Sequence, residues 1–309
     1  MAQSLTSLSA FAQPGSFWKG NLHTHSTASD GAYDPDEVCR RYQEAGYDFL
    51  SLTDHFLPAY DYPLTDTRAH RTKDFTTIIG AELHTAETEF GSIWHILAVG
   101  LPLDFAPPDK NESIRALSRR ALTCGAYVAL AHPAWYGITE RDAEALGPVD
   151  AIEVFNGVAC DHNDRPDSWN LAEILLSRNQ RYLACATDDF HGTGDRNDFS
   201  RGWVMVKSER LDPEALLSAL KAGNYYSSTG PEIHDLQWDG KSLTLECSPA
   251  ERVFLTGTTF HSVAHSGQGR TRFVFDLANF HSPYARITIR GLQGGKAWTN
   301  PIWFDDLPN

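Results

Sequence analysis

Two histidines separated by one residue, His23 and His25, are the first feature of this sequence that could do chemistry. On an extended backbone the side chains at positions i and i+2 point to the same side, so both imidazoles can share one site. Neutral imidazole is a common ligand of divalent metal ions. Such a pair also arises by chance, so the rest of the chain has to decide whether it marks a metal site.

Further histidines and carboxylates stand where predicted strands begin or end. The whole set, in chain order, is His23, His25, Asp30, His55, Glu82, His95, His132, Asp189 and His191. Most of them follow a predicted strand, and the carboxyl edge of the strands is where strand–helix folds assemble their active sites. Because histidine is seldom fully buried, nine such positions favour a metal site over a collection of structural histidines.

The elements that must position these side chains alternate along residues 1–225. Short apolar runs predict strands over Tyr47–Thr53, Thr77–Leu83, Ile96–Gly100, Tyr127–Ala131, Ala151–Phe155 and Tyr182–Ala186. Between them, helical patterns cover Pro35–Ala45, Glu112–Thr123, Ser168–Arg178 and Asp212–Ala222. Repeated strand–helix units predict an α/β domain with a largely parallel sheet or barrel.

The remaining residues, 226–309, have a different sequence pattern. Five strand-like runs separated by Gly, Ser, Asn and Asp cover Ile233–Trp238, Ser242–Cys247, Arg252–Thr256, Thr271–Leu277 and Ala285–Gly291. Helical periodicity is absent there, so we expect a small antiparallel β-rich C-terminal domain. The loop-forming stretch 226–231 (YSSTGP) marks the boundary.

Composition limits the classes of function. The 309 residues carry a net charge of −14, from 26 basic and 40 acidic side chains. A surface with this balance repels polyanions, so binding of duplex nucleic acid or of an acidic membrane face is not expected. If the substrate is anionic, metal ions are the obvious means of attracting it.

The same sequence favours a cytoplasmic location. We find no apolar run of 18 or more residues and no charged leader before the N-terminal stretch MAQSLTSLSAFAQPG, so neither a membrane span nor a secretory signal is expected. Five scattered cysteines do not indicate a disulfide framework.

With these residues in view, the sequence resembles the PHP (polymerase and histidinol phosphatase) family of metal-dependent hydrolases. The motifs that carry the resemblance are His23-x-His25, STASDG at 26–31, TDH at 53–55, GAEL around Glu82, His95, AHP at 131–133 and Asp189-x-His191. The resemblance implies a distorted (β/α)7 barrel, the PHP fold, with two or three divalent metal ions. Asp30 stands where histidinol phosphatases usually have histidine, which places the chain nearer the short phosphoesterases. The segments at 17–20 (FWKG) and 297–301 (AWTNP) also resemble stand-alone members that include relatives of carbaryl hydrolase.

Carried over to this chain, the resemblance implies three neighbouring metal sites. The first would use His23, His25, Glu82 and Asp189; the second Glu82, His95 and His132; the third Asp30, His55 and His191. Glu82 would then bridge two ions, and with Asp189 and His191 it is expected to act directly in catalysis. Sets of His, Asp and Glu ligands accept Mn, Zn or Fe, so the sequence does not determine which metal binds. The ions would lower the pKa of a bridging water, and its hydroxide would attack the substrate without a side-chain nucleophile.

Several other residues are candidates for contact with the substrate. They are Glu153, His84, Arg165, Arg196 and Arg201. The arginines are chosen because a guanidinium matches two phosphate oxygens. His84 could instead simply pack, and Glu153 could support a metal ligand. Asp54 and Asp188, next to expected ligands, could orient imidazoles. Trp135 and Tyr136 could stack on a base or an aromatic leaving group, or simply pack.

The leading hypothesis is a metal-dependent phosphoesterase that acts on a small phosphorylated metabolite or a short nucleotide. A carbamate or carboxylic ester hydrolase of the carbaryl-hydrolase-like branch is the first alternative, since the same ions could attack either bond. A metal-binding module whose β-rich tail recruits a partner is the second. The sequence does not determine the oligomeric state.

Overall fold

The computed structural model describes residues 5–308. The first four residues, which belong to the N-terminal stretch considered above, and Asn309 lie outside this range. The strands are β1 (Thr6–Ser7), β2 (Ser16–Asn21), β3 (Phe49–Leu52), β4 (His55–Phe56), β5 (Thr76–Leu83), β6 (Ile96–Val99), β7 (Tyr127–Leu130), β8 (Ala151–Asn156), β9 (Leu183–Thr187), β10 (Trp203–Ser208), β11 (Tyr225–Ser228), β12 (Ile233–Trp238), β13 (Ser242–Cys247), β14 (Ala250–Thr256), β15 (Ser262–Ser266), β16 (Arg272–Asp276), β17 (Tyr284–Gly291), β18 (Lys296–Thr299) and β19 (Ile302–Trp303).

Seven strands form the part of the main sheet that carries the expected metal ligands, in the order β2-β3-β5-β6-β7-β8-β9. Their pairing is parallel except around β6, which is antiparallel to both β5 and β7. The two ends of this series meet, because Thr24 and Phe190 form a parallel bridge and the Asp189 amide donates to the His23 carbonyl at 3.0 Å. A loop rather than a helix joins β5 to β6. The fold is therefore mixed α/β, as expected, but its strand–helix alternation is irregular.

Side chains of these strands alternate between two buried clusters. In β6, Ile96 and Ala98 pack under the helices, whereas Leu97 and Val99 point into the enclosed side of the curved sheet. Both faces of the sheet are thus covered. This explains why these strands are continuous apolar runs in the sequence rather than alternating ones.

Helices pack against the sheet, and four of them occur where the sequence predicted them. They are α1 (Pro35–Glu44), α2 (Ile114–Thr123), α6 (Trp169–Ser177) and α7 (Pro213–Lys221). Asp34, Ser113 and Asp212 each cap a helix by accepting a backbone N–H from the first turn. Three short helices, α3 (Pro133–Tyr136), α4 (Glu140–Leu146) and α5 (Ala159–His162), were not predicted. Two of these three have only four residues, too few to show a helical period.

The C-terminal residues are rich in antiparallel β-structure, as the sequence predicted. Strands β12, β13 and β16 form a second sheet with β1 from the N-terminus. Strands β14, β17 and β18 continue the main sheet through β11 and β10. The two sheets share one apolar core, in which Leu236, Leu243 and Phe275 pack with Ile287 and Ile289. The strands β15, β18 and β19 were not anticipated.

Within residues 5–308, no helix combines the length and the apolar character needed to cross a membrane.

Candidate metal centre

The strand ends bring the nine expected ligands to one edge of the main sheet. His23 and His25 follow β2, His55 and Glu82 lie at the ends of β4 and β5, and Asp189 follows β9. His95 precedes its strand rather than following it. Since β6 runs antiparallel to β5 and β7, its beginning lies at the edge where its neighbours end. His132, after β7, therefore comes close to His95.

Glu82 lies at the centre of the cluster, with its carboxylate almost completely buried. The nearest histidine nitrogens are those of His55 (2.6 Å), His95 (2.8 Å), His132 (3.1 Å), His23 and His84 (both 3.6 Å) and His25 (3.7 Å). A single carboxylate with two oxygens cannot form good hydrogen bonds with six imidazoles. This crowding is expected where one carboxylate bridges two metal ions.

Asp189 joins the first histidine pair to the cluster. Its Oδ1 lies 3.2 Å from His23 Nε2 and 3.0 Å from His25 Nε2. The backbone φ of Asp189 is +53°, and that of His132 is +27°, a region that residues other than glycine seldom adopt. Two of the expected ligands thus lie on strained backbone, as often occurs at functional sites.

A third group forms around Asp30, which is the most exposed of the nine residues. Its Oδ1 is 3.5 Å from His55 Nε2, 3.4 Å from His191 Nε2 and 3.9 Å from His25 Nδ1. His191 Nδ1 donates to the Asp189 carbonyl at 2.8 Å, which turns its Nε2 toward Asp30. The three groupings that the family resemblance implied are therefore each brought together in space.

The donor set fits divalent metal ions. His23 Nε2, His25 Nε2, Glu82 Oε2 and Asp189 Oδ1 are buried and make no hydrogen bond within residues 5–308. Yet Asp189 Oδ1 lies 3.0–3.2 Å from both imidazole nitrogens, and His25 Nε2 lies 3.7 Å from Glu82 Oε2. Ligand atoms about 2.0–2.2 Å from one ion lie roughly this far apart. Buried polar atoms without a partner are costly, and a shared cation would satisfy all four.

The charges of the cluster are strongly perturbed. Glu82 and Asp189 are buried, but the surrounding histidines outweigh burial and hold the pKa of each carboxylate well below its usual range. Burial opposes protonation of His55 as well, but Glu82 and Asp30 outweigh it and raise its pKa to about 10. Burial and the neighbouring His191 and His55 lower the pKa of His25 to about 3. Without a cation, the acids are therefore balanced by protons on some histidines but not on others.

Glu153 lies behind His23 rather than at the open side of the cluster. Its Oε1 is 2.9 Å from His23 Nδ1, and its Oε2 accepts from the His132 amide at 2.6 Å. The side chain is fully buried, and Asn156 and Thr187 take up its remaining hydrogen-bonding positions. Of the two roles that the sequence left open for Glu153, this enclosed position favours support of His23 over contact with a substrate.

Asp54 and Asp188 do not contact imidazoles among the described residues. Asp54 accepts hydrogen bonds from the Ser26 amide and hydroxyl and from the Ser29 hydroxyl, so it shapes the loop that carries Asp30. Asp188 accepts from the Tyr42 hydroxyl and from three consecutive backbone amides at 200–202. Burial raises the pKa of Asp188 to about 6 in spite of these donors. Both carboxylates position loops, not the ligand rings.

His84 is enclosed within the cluster. Its side chain has no exposed surface, its Nδ1 is 2.9 Å from the Trp94 carbonyl oxygen, and its Nε2 is 2.9 Å from His55 Nδ1. Burial and the neighbouring His95 and His55 hold its pKa well below the usual range, although Glu82 acts in the opposite direction. The sequence left open whether His84 touches a substrate or packs, and its complete burial favours packing.

A cavity of about 260 Å³ opens over the cluster. Asp30, His55, His95, His132, Asp189 and His191 form its floor, and Trp135, Tyr136, His162, Thr193 and Arg196 form its wall. Tyr136 stacks on His95 with ring centroids 4.5 Å apart. The cavity is thus charged at the bottom and partly aromatic at the side.

Of the three arginines considered in the sequence, Arg196 lines this cavity. Arg165 is exposed and directs Nη1 to the Trp135 carbonyl, and the Arg201 side chain lies against Cys160 instead. Neither is among the described residues that line the cavity.

Sequence reasoning missed His162. Its Nδ1 accepts from Arg196 Nη1 at 2.9 Å, and its ring stacks on Trp135 with centroids 4.6 Å apart. Its neighbours in the chain contain no motif, and only the fold brings α5 to the cavity.

Solved structures with a similar fold exist, at low sequence identity. No curated protein is significantly similar to the chain in sequence. A similar solved structure is a two-domain protein of Bacteroides vulgatus that contains a predicted PHP-like metal-dependent phosphoesterase; it is 15% identical, covers 96% of this chain and 98% of its own, and has a TM-score of 0.49. Another is an amidohydrolase of Chromobacterium violaceum with bound sulfate, 16% identical over 56% of this chain and 87% of its own, with a TM-score of 0.42.

The profile of the PHP domain family matches residues 21–184, slightly more than half of the chain. This range includes seven of the nine clustered ligands and ends just before Asp189. The chain therefore belongs to the PHP domain family.

Proposed function

We propose that this protein is a metal-dependent phosphoesterase that hydrolyses a small phosphorylated metabolite or a short nucleotide. The observation that carries the proposal is the set of buried, unpartnered donor atoms that converge on Glu82 and Asp189 beneath an open cavity. We further propose the three sites stated above, filled by two or three ions of Mn, Zn or Fe. The proposal includes a distorted (β/α)7 barrel over residues 1–225 and a β-rich domain over residues 226–309.

Each group of residues has a separate task in this proposal. Bound divalent ions would supply positive charge for phosphate oxygens and would lower the pKa of a water molecule. Glu82 and Asp189 stay ionised and hold the imidazoles around them. His191, fixed through Nδ1 to the Asp189 carbonyl, presents Nε2 at the cavity floor. A side-chain nucleophile is not required.

Arg196 supports a phosphate substrate over an uncharged one. It places a permanent positive charge on the wall of a cavity that belongs to a protein of net charge −14. His162 accepts from one of its nitrogens, which restrains the guanidinium in the direction of the cavity. A guanidinium held in this way can bind two phosphate oxygens.

The aromatic wall favours a second candidate, hydrolysis of an aryl carbamate or carboxylic ester. Trp135 and Tyr136 offer ring surface beside the metal cluster, suited to an aromatic leaving group. The same rings could equally hold the base of a nucleotide. The wall alone therefore does not separate the two substrate classes, and the positive charge of Arg196 is what favours the phosphate.

A substrate panel tests the proposal. Purified protein loaded with Mn²⁺ or Zn²⁺, with its metal content verified by elemental analysis, is assayed on p-nitrophenyl phosphate, nucleoside 3′,5′-bisphosphates and short RNA with phosphorylated ends. We expect phosphate release, abolished in Asp189→Ala. Release of 1-naphthol from an aryl carbamate, without activity on any phosphate, would establish the second candidate instead. Active protein that contains negligible metal would rule out both candidate functions.

A further inference from the structure

His84 is a clustered histidine without a place in the three proposed metal sites. It lies two residues after Glu82, beyond the end of β5, with no exposed surface. Its ring is 4.9 Å from that of His55 and 4.4 Å from that of His95. A buried polar ring in this position needs partners for both nitrogens, and these partners determine what it does.

The Trp94 carbonyl determines which ring nitrogen of His84 carries the proton. A carbonyl oxygen only accepts hydrogen bonds, so His84 Nδ1, at 2.9 Å from it, must carry the proton. In a neutral imidazole the other nitrogen is then an acceptor. His84 Nε2 therefore offers a lone pair to the atom that faces it, His55 Nδ1 at 2.9 Å.

His55 has the complementary requirement. Its Nε2 faces Asp30 at 3.5 Å, in the third site, so its Nδ1–H is left to donate. Glu82 Oε2 is closer to His55 Nδ1, at 2.6 Å, but Glu82 Oε2 makes no hydrogen bond among the described residues. His84 Nε2, by contrast, is hydrogen-bonded to His55 Nδ1. The Nδ1–H of His55 is thus directed at His84.

We propose that His84 is a positioning residue for the third metal site. It links the backbone to a ligand in the order Trp94 carbonyl, His84, His55, and it holds His55 in the tautomer that presents Nε2 to the ion. Metal-binding histidines usually donate their second N–H to a carboxylate or a carbonyl. Here a neutral histidine takes that role, which leaves both oxygens of Glu82 free for the other sites. The inference rests on the proposed metal sites.

Zinc binding tests the role of His84 without any assay of turnover. Competition with a chromophoric chelator gives the number of Zn²⁺ ions and their affinities. His84→Leu fills a similar volume without an acceptor, and His84→Gln places an amide oxygen near the position of Nε2. His84→Asn is too short to reach His55 and replaces the leucine variant if that one does not fold. His265→Leu, in β15 and far from the cluster, is the matched control.

We expect His84→Leu to weaken the binding of one Zn²⁺ ion by about 10–100-fold and to leave the affinities of the other ions unchanged. His84→Gln should restore the lost affinity. In an Asp30→Ala background, where the third site is already broken, His84→Leu should have no further effect on the remaining ions. A further loss in that background would make His84 a direct ligand beside His95 and would overturn the positioning role. Unchanged affinities in His84→Leu would overturn it too, whereas wild-type protein that binds no Zn²⁺ would overturn the metal sites themselves.

Discussion

Loading of the cluster with metal should release protons, and the structure identifies His55 as one source of them. The pKa of His55 is raised to about 10, and those of His23 and His191 are also raised, by neighbouring carboxylates that outweigh burial. Of these imidazoles, His55 carries a proton at neutral pH when no ion is bound, whereas His25, with its pKa lowered to about 3, does not. A metal ligand must be unprotonated. We therefore expect at least one proton, that of His55, to leave on full loading near pH 7.

The size of the effect can be worked out for His55. Removal of a proton at pH 7 from a group with a pKa of about 10 costs about 4 kcal/mol, at 1.36 kcal/mol for each pH unit. With a pKa of about 10, His55 stays protonated up to pH 8. A displaced proton changes affinity about tenfold per pH unit, so a decrease from pH 8 to pH 6 should weaken overall loading by about 10²-fold or more through His55 alone.

Calorimetric titration with Zn²⁺ in buffers of different ionisation enthalpy measures the proton count. The titration is done at pH 6, where a zinc-bound water with a pKa near 7 contributes little. His55→Asn is the control and should lower the count by about one. An affinity that does not change between pH 6 and pH 8, or a count near zero, would refute the charge assignment of the cluster.

Four further predictions follow from single features of the structure. Protonated His55 stabilises the fold of the metal-free protein, so its free energy of unfolding, followed in urea, should fall as pH rises from 6.5 toward 10. Glu153→Ala should weaken Zn²⁺ binding by about 10–100-fold in a chelator competition, because His23 loses its buried partner. Arg196→Ala should raise KM for a phosphate ester about tenfold or more while kcat changes little, whereas exposed Arg165→Ala should leave both unchanged, and steady-state kinetics separate the two cases. Gly20→Ala should destabilise the protein by about 1–3 kcal/mol in a denaturant titration, because its Cβ would lie 2.1 Å from a buried phenyl ring; wild-type stability would show that the ring can move.

The larger elements were accessible from the sequence because their determinants are local. Helix α1 begins at Pro35 after the cap residue Asp34, as predicted, and β12 and β13 have the predicted bounds. The unpredicted β10 (Trp203–Ser208) and β18 (Lys296–Thr299) mix polar and apolar residues, so their strand conformation depends on pairing with distant strands. The direction of β6 was not predictable either. An apolar run has the same pattern whether it runs parallel or antiparallel to its neighbours.

Residue types determined which side chains could take part in the site. His23 and His25 are two apart on extended backbone, which brings their rings to 5.1 Å from each other. Their spacing is a local property, and so it could be read from the sequence. Arg196 was among three arginines that the sequence could not rank, because whether a guanidinium faces a cavity depends on loops that are distant in the chain.

What the sequence by itself determined is the set of metal-type ligands, their order along the chain and the alternation of strands and helices around them. Only the tertiary structure decided which atoms meet: that Glu82 lies among six imidazoles, that Glu153 supports His23 from behind, and that His84 faces His55. The physical reason is that strand and helix preferences act over a few residues. Convergence of side chains more than one hundred positions apart depends on the packing of the whole sheet, and so do the left-handed backbones of His132 and Asp189.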